Sequence, residues 1–226
     1  MAAEPYEIVK KYSGRSEVFS DLLPFFLEIL MIRIYNLTNR YFNNKKENNM
    51  IYTSDKMEEA AVLDAAQLMC ASARTAPKTR GIDNVKTLVL TGDDLLALAD
   101  KMEEIDLRIN SGSRSFLSRD AGNLRASKAV VLVGIEKKTY GLNCAYCGFK
   151  TCGECTENKG TCFFCGTDLG IAVSSAVGTA ANLRIDCRVM FSVGRCAGEM
   201  DYLDGDIIWI GIPLSASGKN PYFDRK

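Results

Sequence analysis

The chain has 226 residues, 47% of them apolar, and its 28 basic and 28 acidic residues balance to no formal net charge. This length and composition allow one medium-sized domain with a buried core, with or without an appendage. The neutral balance gives no bulk attraction to nucleic acid or to an anionic membrane, and we expect neither as a partner. The sequence contains no histidine, which excludes Ser-His-Asp and Cys-His catalysis, histidine-containing zinc fingers and Rieske centres. Cysteine or carboxylate would therefore have to hold any metal.

Residues 1–49 differ in character from the rest of the chain. Their apolar run, 18–37, is broken by a proline and three charged side chains, whereas a signal peptide or a membrane span needs an uninterrupted apolar stretch. We therefore expect a cytoplasmic protein with reduced thiols. Two interpretations of 1–49 stay open: an appendage outside the native protein, or an amphipathic helix that packs on the domain or on a second subunit. In both, the functional domain is predicted to span 50–226.

The first half of this domain alternates helices with strands. Asp55 and Glu58 have the spacing of a capping box, and the apolar residues that follow recur at helical intervals, which predicts a helix as far as Ala73. The β-branched run 85–91 is typical of a buried strand. The next predicted elements are a helix ending at Arg108, a short helix over 116–125 and a second buried strand over 129–135.

The chain beyond the cysteines carries one more helix and one more strand. Gly, Ala and Ser dominate 168–183, which is predicted to form a helix that packs closely against its neighbours. The apolar run 206–214 predicts a third strand. Strands separated by helices indicate an α/β (α+β) fold, a layered sheet flanked by helices, with the cysteine-rich segment 141–167 inserted in it.

Six of the nine cysteines lie within 23 residues, Asn143 to Cys165. Thiols at this density in a reducing compartment favour a metal centre over a redox-active dithiol, because dithiol motifs of the thioredoxin type occur singly. The six form three CxxC pairs: Cys144 and Cys147, Cys152 and Cys155, and Cys162 and Cys165.

Two kinds of metal centre fit this spacing. A 4Fe–4S cluster needs four thiolates, and Cys144, Cys147 and Cys152 would surround one face of it, with Gly148 permitting the turn. A downstream cysteine would supply the fourth thiolate. The alternative is a structural zinc ribbon, in which the first CxxC pair acts together with the last.

The core CxxCGFxxC, Cys144 to Cys152, resembles the 4Fe–4S domain of electron-transport subunits such as the B subunit of Rnf-type complexes. In that domain the fourth ligand lies further along the chain, and here Cys155 and Cys165 are alternatives to the cysteine that we predict. The resemblance implies the ligand set Cys144, Cys147, Cys152 and Cys162.

The chain from about Met50 to Arg225 also resembles a family of prokaryotic proteins with a ferredoxin domain. The resemblance covers nearly all of the predicted domain, and residues 1–49 lie outside it. It implies that the cysteine segment belongs to a redox protein. The matching stretches are ASARTAPKTRGIDNVKTLVL, NCAYCGFKTC, DLGIAVSSAV and IPLSASGKNPYFDR.

A more distant similarity, to FMN-dependent nitroreductases, rests on the stretch Ser72 to Pro77, on the small-residue helix and on the strand end Gly211 to Pro213. It implies a nitroreductase-like sheet, with FMN beside the loop that follows the first helix. The alternative is a solvated basic loop, or a phosphate site for another ligand. The residues that would hold the FMN phosphate are Arg74, Lys78, Arg80 and Lys219.

Together these patterns predict an iron–sulfur redox protein. It would be an electron-transfer protein or, with FMN bound, a flavin-linked oxidoreductase that joins a one-electron carrier to a two-electron substrate. Its partner would be a redox protein or a small-molecule substrate, and the similarity to nitroreductases implies a homodimer. The competing prediction is a non-catalytic module that uses a zinc ribbon as a structural clip.

Overall fold

The computed structural model of the protein describes residues 51–110 and 115–223. The chain divides into two units, Met1–Tyr52 and Thr53–Lys226, and the architecture below is that of the second. The predictions for residues 1–49 lie outside the described residues.

Helices cover more of the second unit than strands do. A single turn of 3-10 helix, Thr79–Gly81, follows the first α-helix. The α-helices are α1 (Ser54–Thr75), α2 (Gly92–Asn110), α3 (Phe116–Arg125), α4 (Cys152–Glu157), α5 (Phe163–Asn182) and α6 (Phe191–Ala197).

The strands form one four-stranded sheet in the order β1-β2-β4-β3, in which every pair is antiparallel. The two helices between β1 and β2 pack on each other as a hairpin, so the chain re-enters the sheet in the opposite direction. Val85 pairs with Ile135 and Ala129 with Leu214, which sets the register on either side of β2. The strands are β1 (Val85–Leu90), β2 (Ala129–Glu136), β3 (Asp186–Cys187) and β4 (Ile207–Ser215).

The sheet separates two apolar layers, so the second unit is built as helix, sheet and helix. Along β2, Val131 and Val133 face the layer made by α1 and α5, whereas Val130 and Leu132 face the layer made by α2, α3 and α6. All four are fully buried, which explains why this strand reads as a continuous apolar run and not as an alternating one. The mixed α/β class predicted from the sequence is confirmed.

The predicted helices and strands are all present. In all but one of them, each observed end lies within two residues of the predicted end. The exception is α5, which begins at Phe163, inside the cysteine segment, and not at Asp168. The predicted capping box at Asp55 was wrong, because the helix starts one residue earlier and its N-cap, Thr53, makes no side-chain capping bond. The short elements α4, β3 and α6 were not predicted.

The helices α1 and α5 pack on each other through small side chains. Ala66 and Ala73 of α1 and Ala172 and Ala176 of α5 are fully buried in this layer. By length and composition α5 is the one described helix that could cross a membrane, a criterion that buried core helices also meet. The predicted close packing of this helix is confirmed.

The helix α6 lies directly on strand β4. A Cβ atom added to Gly194 would lie 2.0 Å from the carbonyl oxygen of Trp209, and one added to Gly211 would lie 2.3 Å from a methyl group of Val193. Only glycine allows backbones to approach this closely. The second layer is therefore fixed to the sheet at this point by main-chain contact.

Candidate metal centre

Four of the six clustered cysteines line one pocket. Three of them lie on the loop that ends at the start of α4, and Cys162 is the residue immediately before α5. The aromatic rings of Tyr140, Phe149 and Phe164 form other parts of the wall. The cysteines of this pocket, which we call the thiol pocket, are Cys144, Cys147, Cys152 and Cys162, the same four that the sequence predicts as ligands.

The loop around the thiol pocket turns sharply at several residues. Four residues between 141 and 148 have positive φ angles: Gly141 at 69°, Asn143 at 48°, Ala145 at 61° and Gly148 at 86°. The Gly148 N–H donates to the Ala145 carbonyl at 3.0 Å, which closes the turn between Cys144 and Cys147. Non-glycine residues adopt such angles at a cost and tend to do so at functional sites. The predicted role of Gly148 in permitting the turn agrees with its φ angle.

Asn143 holds Cys152 against the loop from two directions. Its backbone N–H donates to Cys152 Sγ at 3.3 Å, and its side-chain Oδ1 accepts from the Cys152 N–H at 2.8 Å. Hydrogen bonds to the sulfurs are one of the factors that set the potential of an iron–sulfur centre. The donor set of the pocket, thiols with an amide hydrogen bond, therefore fits an iron–sulfur cluster.

The other two clustered cysteines are completely buried. Cys155 is fully buried, and burial together with the adjoining thiol of Cys147 raises its pKa to about 11. Cys165 is also fully buried; its Sγ donates to the carbonyl oxygen of Lys138 at 3.2 Å, and burial raises its pKa. Neither lines the thiol pocket.

The thiols of the pocket are not grouped as a site for a single metal ion. Within residues 51–110 and 115–223, no three side chains of cysteine, aspartate or glutamate form a group arranged around a single metal ion. A tetrahedral zinc site, with Zn–S distances of about 2.3 Å, needs such convergence. A cluster is wider than one ion and holds its thiolates further apart.

A buried carboxylate fastens the base of the cysteine segment. Asp168 of α5 is 2% exposed and accepts hydrogen bonds from the Tyr140 hydroxyl at 2.7 Å and from the backbone N–H and hydroxyl of Thr79 at 3.0 and 2.8 Å. Burial, and then the bond to Asp168, raise the pKa of Tyr140, which keeps its hydroxyl protonated as a donor. These hydrogen bonds therefore join the cysteine segment to the core. We call the group formed by Asp168, Tyr140 and Thr79 the Asp168 junction.

The predicted FMN residues are occupied with protein partners. Arg74 binds Asp83 and the Val85 carbonyl, and Lys78 donates to two carbonyl oxygens at the end of α1. Arg80 donates to the Tyr140 carbonyl at 2.6 Å, so it adds to the Asp168 junction. Lys219 lies in a turn with Ser217 beyond β4. Their phosphate-binding role stays a prediction.

The Asp168 junction was not predicted from the sequence. Asp168 was placed on the small-residue helix and Tyr140 ahead of the cysteines, but no local pattern links the two. The one available signal was a lone carboxylate at the start of an apolar helix, since an acidic side chain that becomes buried must find hydrogen-bond donors.

Comparison with known proteins gives one family and one relative. Residues 158–225 match the model of a family described as "Uncharacterized protein containing a ferredoxin domain (DUF2148)". An uncharacterised protein of Archaeoglobus fulgidus is 40% identical over 185 residues, which make up 78% of this chain and 98% of that protein.

Among solved structures, the similar ones include nitroreductases. A protein from Desulfovibrio desulfuricans in complex with FMN has a TM-score of 0.47 and 15% identity, over 72% of this chain and 78% of that one. A nitroreductase family protein from Clostridium novyi has a TM-score of 0.46 and 14% identity, over 71% and 76% of the two chains. These TM-scores lie below 0.5, so no cofactor or activity is transferred from these proteins to this chain.

Proposed function

The chain belongs to the family of ferredoxin-domain proteins that it shares with the Archaeoglobus relative, and on that premise we propose that it is an electron-transfer protein with one 4Fe–4S cluster. The observation that carries the proposal is that four cysteine thiols line one pocket. Cys144, Cys147 and Cys152 would hold the cluster from the loop, and Cys162 from the start of α5. A bound cluster supplies one-electron transfer.

The choice of Cys162 as the fourth ligand rests on where each remaining cysteine points. Cys162 lines the thiol pocket. Cys165, one turn along α5, is absent from the pocket lining and donates to the Lys138 carbonyl. Cys155 adjoins the Cys147 thiol but is completely buried and does not line the pocket; a Cβ atom added to Gly160 would lie 3.1 Å from its Sγ. Geometry thus favours Cys162 over both alternatives.

The same geometry weakens the zinc-ribbon alternative. A ribbon built from the first and last CxxC pairs needs Cys165 to share a site with Cys144 and Cys147. The Cys165 thiol instead hydrogen-bonds to the main chain below the segment. FMN stays outside the proposal, because the basic residues predicted to bind it are engaged with protein acceptors.

Metal analysis of anaerobically purified protein tests the proposal. We expect about four iron atoms per chain and a broad visible band that bleaches with dithionite. One zinc per chain in a colourless sample would overturn it in favour of the ribbon. The same sample is then denatured, and any flavin that it releases is measured. Released flavin would support the prediction of a flavin-linked oxidoreductase.

Single alanine variants then test the ligand set. Cys162→Ala should lose most of its iron, whereas Cys165→Ala, the matched control on the next turn of the same helix, should retain it. Cys155→Ala tests whether Cys155 is the fourth ligand instead. If Cys155→Ala or Cys165→Ala lost the iron and Cys162→Ala kept it, the assignment of the fourth ligand would be wrong.

A further inference from the structure

A cavity of about 450 Å³ lies beside the thiol pocket. Its charged lining comprises three lysines, Lys137, Lys138 and Lys159, against a single carboxylate, that of Asp206. The hydroxyl-bearing residues Thr139 and Thr156 also line it. Ammonium and hydroxyl groups on one concave surface are donors for an anion.

The three lysines differ in whether their ammonium groups form ion pairs within the protein. Lys137 Nζ lies 2.6 Å from a carboxylate oxygen of Asp206, and Lys138 Nζ lies 2.7 Å from one of Glu136. Lys159 has no hydrogen bond or ion pair through its side chain to any of the described residues. The lining therefore contains one ammonium group that is available to a ligand without breaking a protein contact.

Lys159 occupies a position that ordinarily takes glycine. It follows the C-cap of α4 with φ of 52°, and the Gly160 N–H bonds back to the Cys155 carbonyl at 2.8 Å. This is the residue of a helix C-terminal turn at which glycine is strongly preferred and asparagine is tolerated. A lysine here carries a conformational cost that its packing does not explain, because its side chain is exposed.

The cavity and the thiol pocket share part of their walls. Cys162 and Thr139 line both. An anion held by Lys159 would therefore lie on the other side of the proposed fourth cluster ligand. No intervening layer of the core separates the two.

From these observations we propose that the cavity binds an anionic small molecule, through a carboxylate or phosphate group, directly beside the cluster. The proposal rests on the proposed function for the position of the cluster, whereas the binding of the anion can be measured independently of it. A concave site of about 450 Å³ falls within the usual size range of small-molecule pockets. That shape favours a small anion over the acidic surface of a partner protein.

Calorimetric titration of the anaerobic holoprotein with inorganic phosphate, and separately with succinate, tests the binding. The variant is Lys159→Asn, which removes the ammonium group and keeps a side chain that tolerates the backbone angle. We expect about tenfold weaker binding in this variant, as for loss of one charge-assisted hydrogen bond. The matched control is Lys150→Gln, at an exposed lysine of the same segment that does not line the cavity, and it should bind like the wild type.

The relative affinities identify the ligand chemistry. Tighter binding of phosphate assigns a phosphate-bearing molecule, and tighter binding of succinate assigns a carboxylate. The proposal is overturned if neither anion binds, or if both variants weaken binding equally. Binding of a polyglutamate peptide, but of neither small anion, would also overturn it and would indicate a protein-docking surface.

The reduction potential provides a second readout. A bound anion opposes the additional negative charge of the reduced cluster, so saturating phosphate or succinate should lower the potential of the wild type and leave that of Lys159→Asn unchanged. Binding without such a shift would place the anion away from the cluster and overturn the proposal. Failure of the proposed function appears separately, as an absence of iron in the purified protein, and the calorimetric comparison of the wild type with Lys159→Asn is then made on that protein.

Discussion

The layered core and the cysteine segment of this protein are ordered by different means. In the core, β2 is buried on both faces, between the two helical layers. In the loop before α4, from residue 141 to 151, no residue is buried, and four residues have left-handed backbone angles. The core therefore has apolar burial to hold it, whereas the loop has hydrogen bonds at its base and, in our proposal, a metal cluster at its tip.

A stable domain can therefore carry a binding loop that has no apolar core of its own. Binding residues are often carried by surface loops that a rigid scaffold positions. The Asp168 junction joins the loop to the core through Tyr140, Thr79 and Arg80. Breaking the core, the junction and the metal centre in turn should therefore give three separable results.

The largest effect is expected from breaking the core at Gly194. An alanine there would place its Cβ 2.0 Å from the Trp209 carbonyl oxygen, and we expect the free energy of unfolding to fall by about 3 kcal/mol or more. Denaturant titration measures it. The control is Gly170→Ala in α5, where an added Cβ meets nothing within 4 Å and should stabilise the helix by about 0.5–1 kcal/mol. Equal stability of the two variants would contradict the close approach of α6 to the sheet.

An intermediate effect is expected from breaking the junction at Asp168. Asp168→Ala removes the acceptor of three hydrogen bonds and leaves buried donors unpaired, so the free energy of unfolding should fall by about 2–3 kcal/mol. Tyr140→Phe removes only one of those bonds and should cost about 1 kcal/mol. Iron content should fall in the first variant more than in the second. If Tyr140→Phe lost more iron than Asp168→Ala, the Asp168 carboxylate would not be the group that anchors the cysteine segment.

The smallest effect on global stability is expected from removing the metal. Chelation of the reduced protein should accelerate amide hydrogen exchange in 142–162 and leave exchange in β2 unchanged, because local opening of an exposed loop need not open the core. Exchange measured by mass spectrometry resolves the two regions. Faster exchange in β2 after chelation would mean that the core depends on the metal, and the distinction between the two regions would be lost.

Local patterns account for the parts of the structure that could be predicted from the sequence. The sequence of β2 is apolar at nearly every residue. Such a strand is buried on both faces, which favours a position inside the sheet. The CxxC spacing likewise grouped Cys144, Cys147 and Cys152, which line one pocket in the structure, whereas the spacing alone left the fourth cysteine open. These features depend on residues close to one another in the chain.

Contacts between distant residues account for what could not be predicted. Arg80 was interpreted as a phosphate ligand, and its acceptor is a carbonyl 60 residues away. Asp168 bonds to Tyr140 across 28 residues. The helix α6 has only seven residues with glycine among them, a composition of low helical propensity, and it forms because that glycine fits against β4. Each depends on a tertiary partner that no local pattern specifies.

The position of Cys162 immediately before α5 has an electrical consequence. This helix has 20 residues, and its aligned peptide dipoles sum to roughly half a positive elementary charge at its first turn. Cys162, the N-cap of this helix, lies next to that partial charge, which attracts negative charge. An electron added to a cluster bound there would be attracted in the same way, so the helix that packs the core would also make the redox centre easier to reduce.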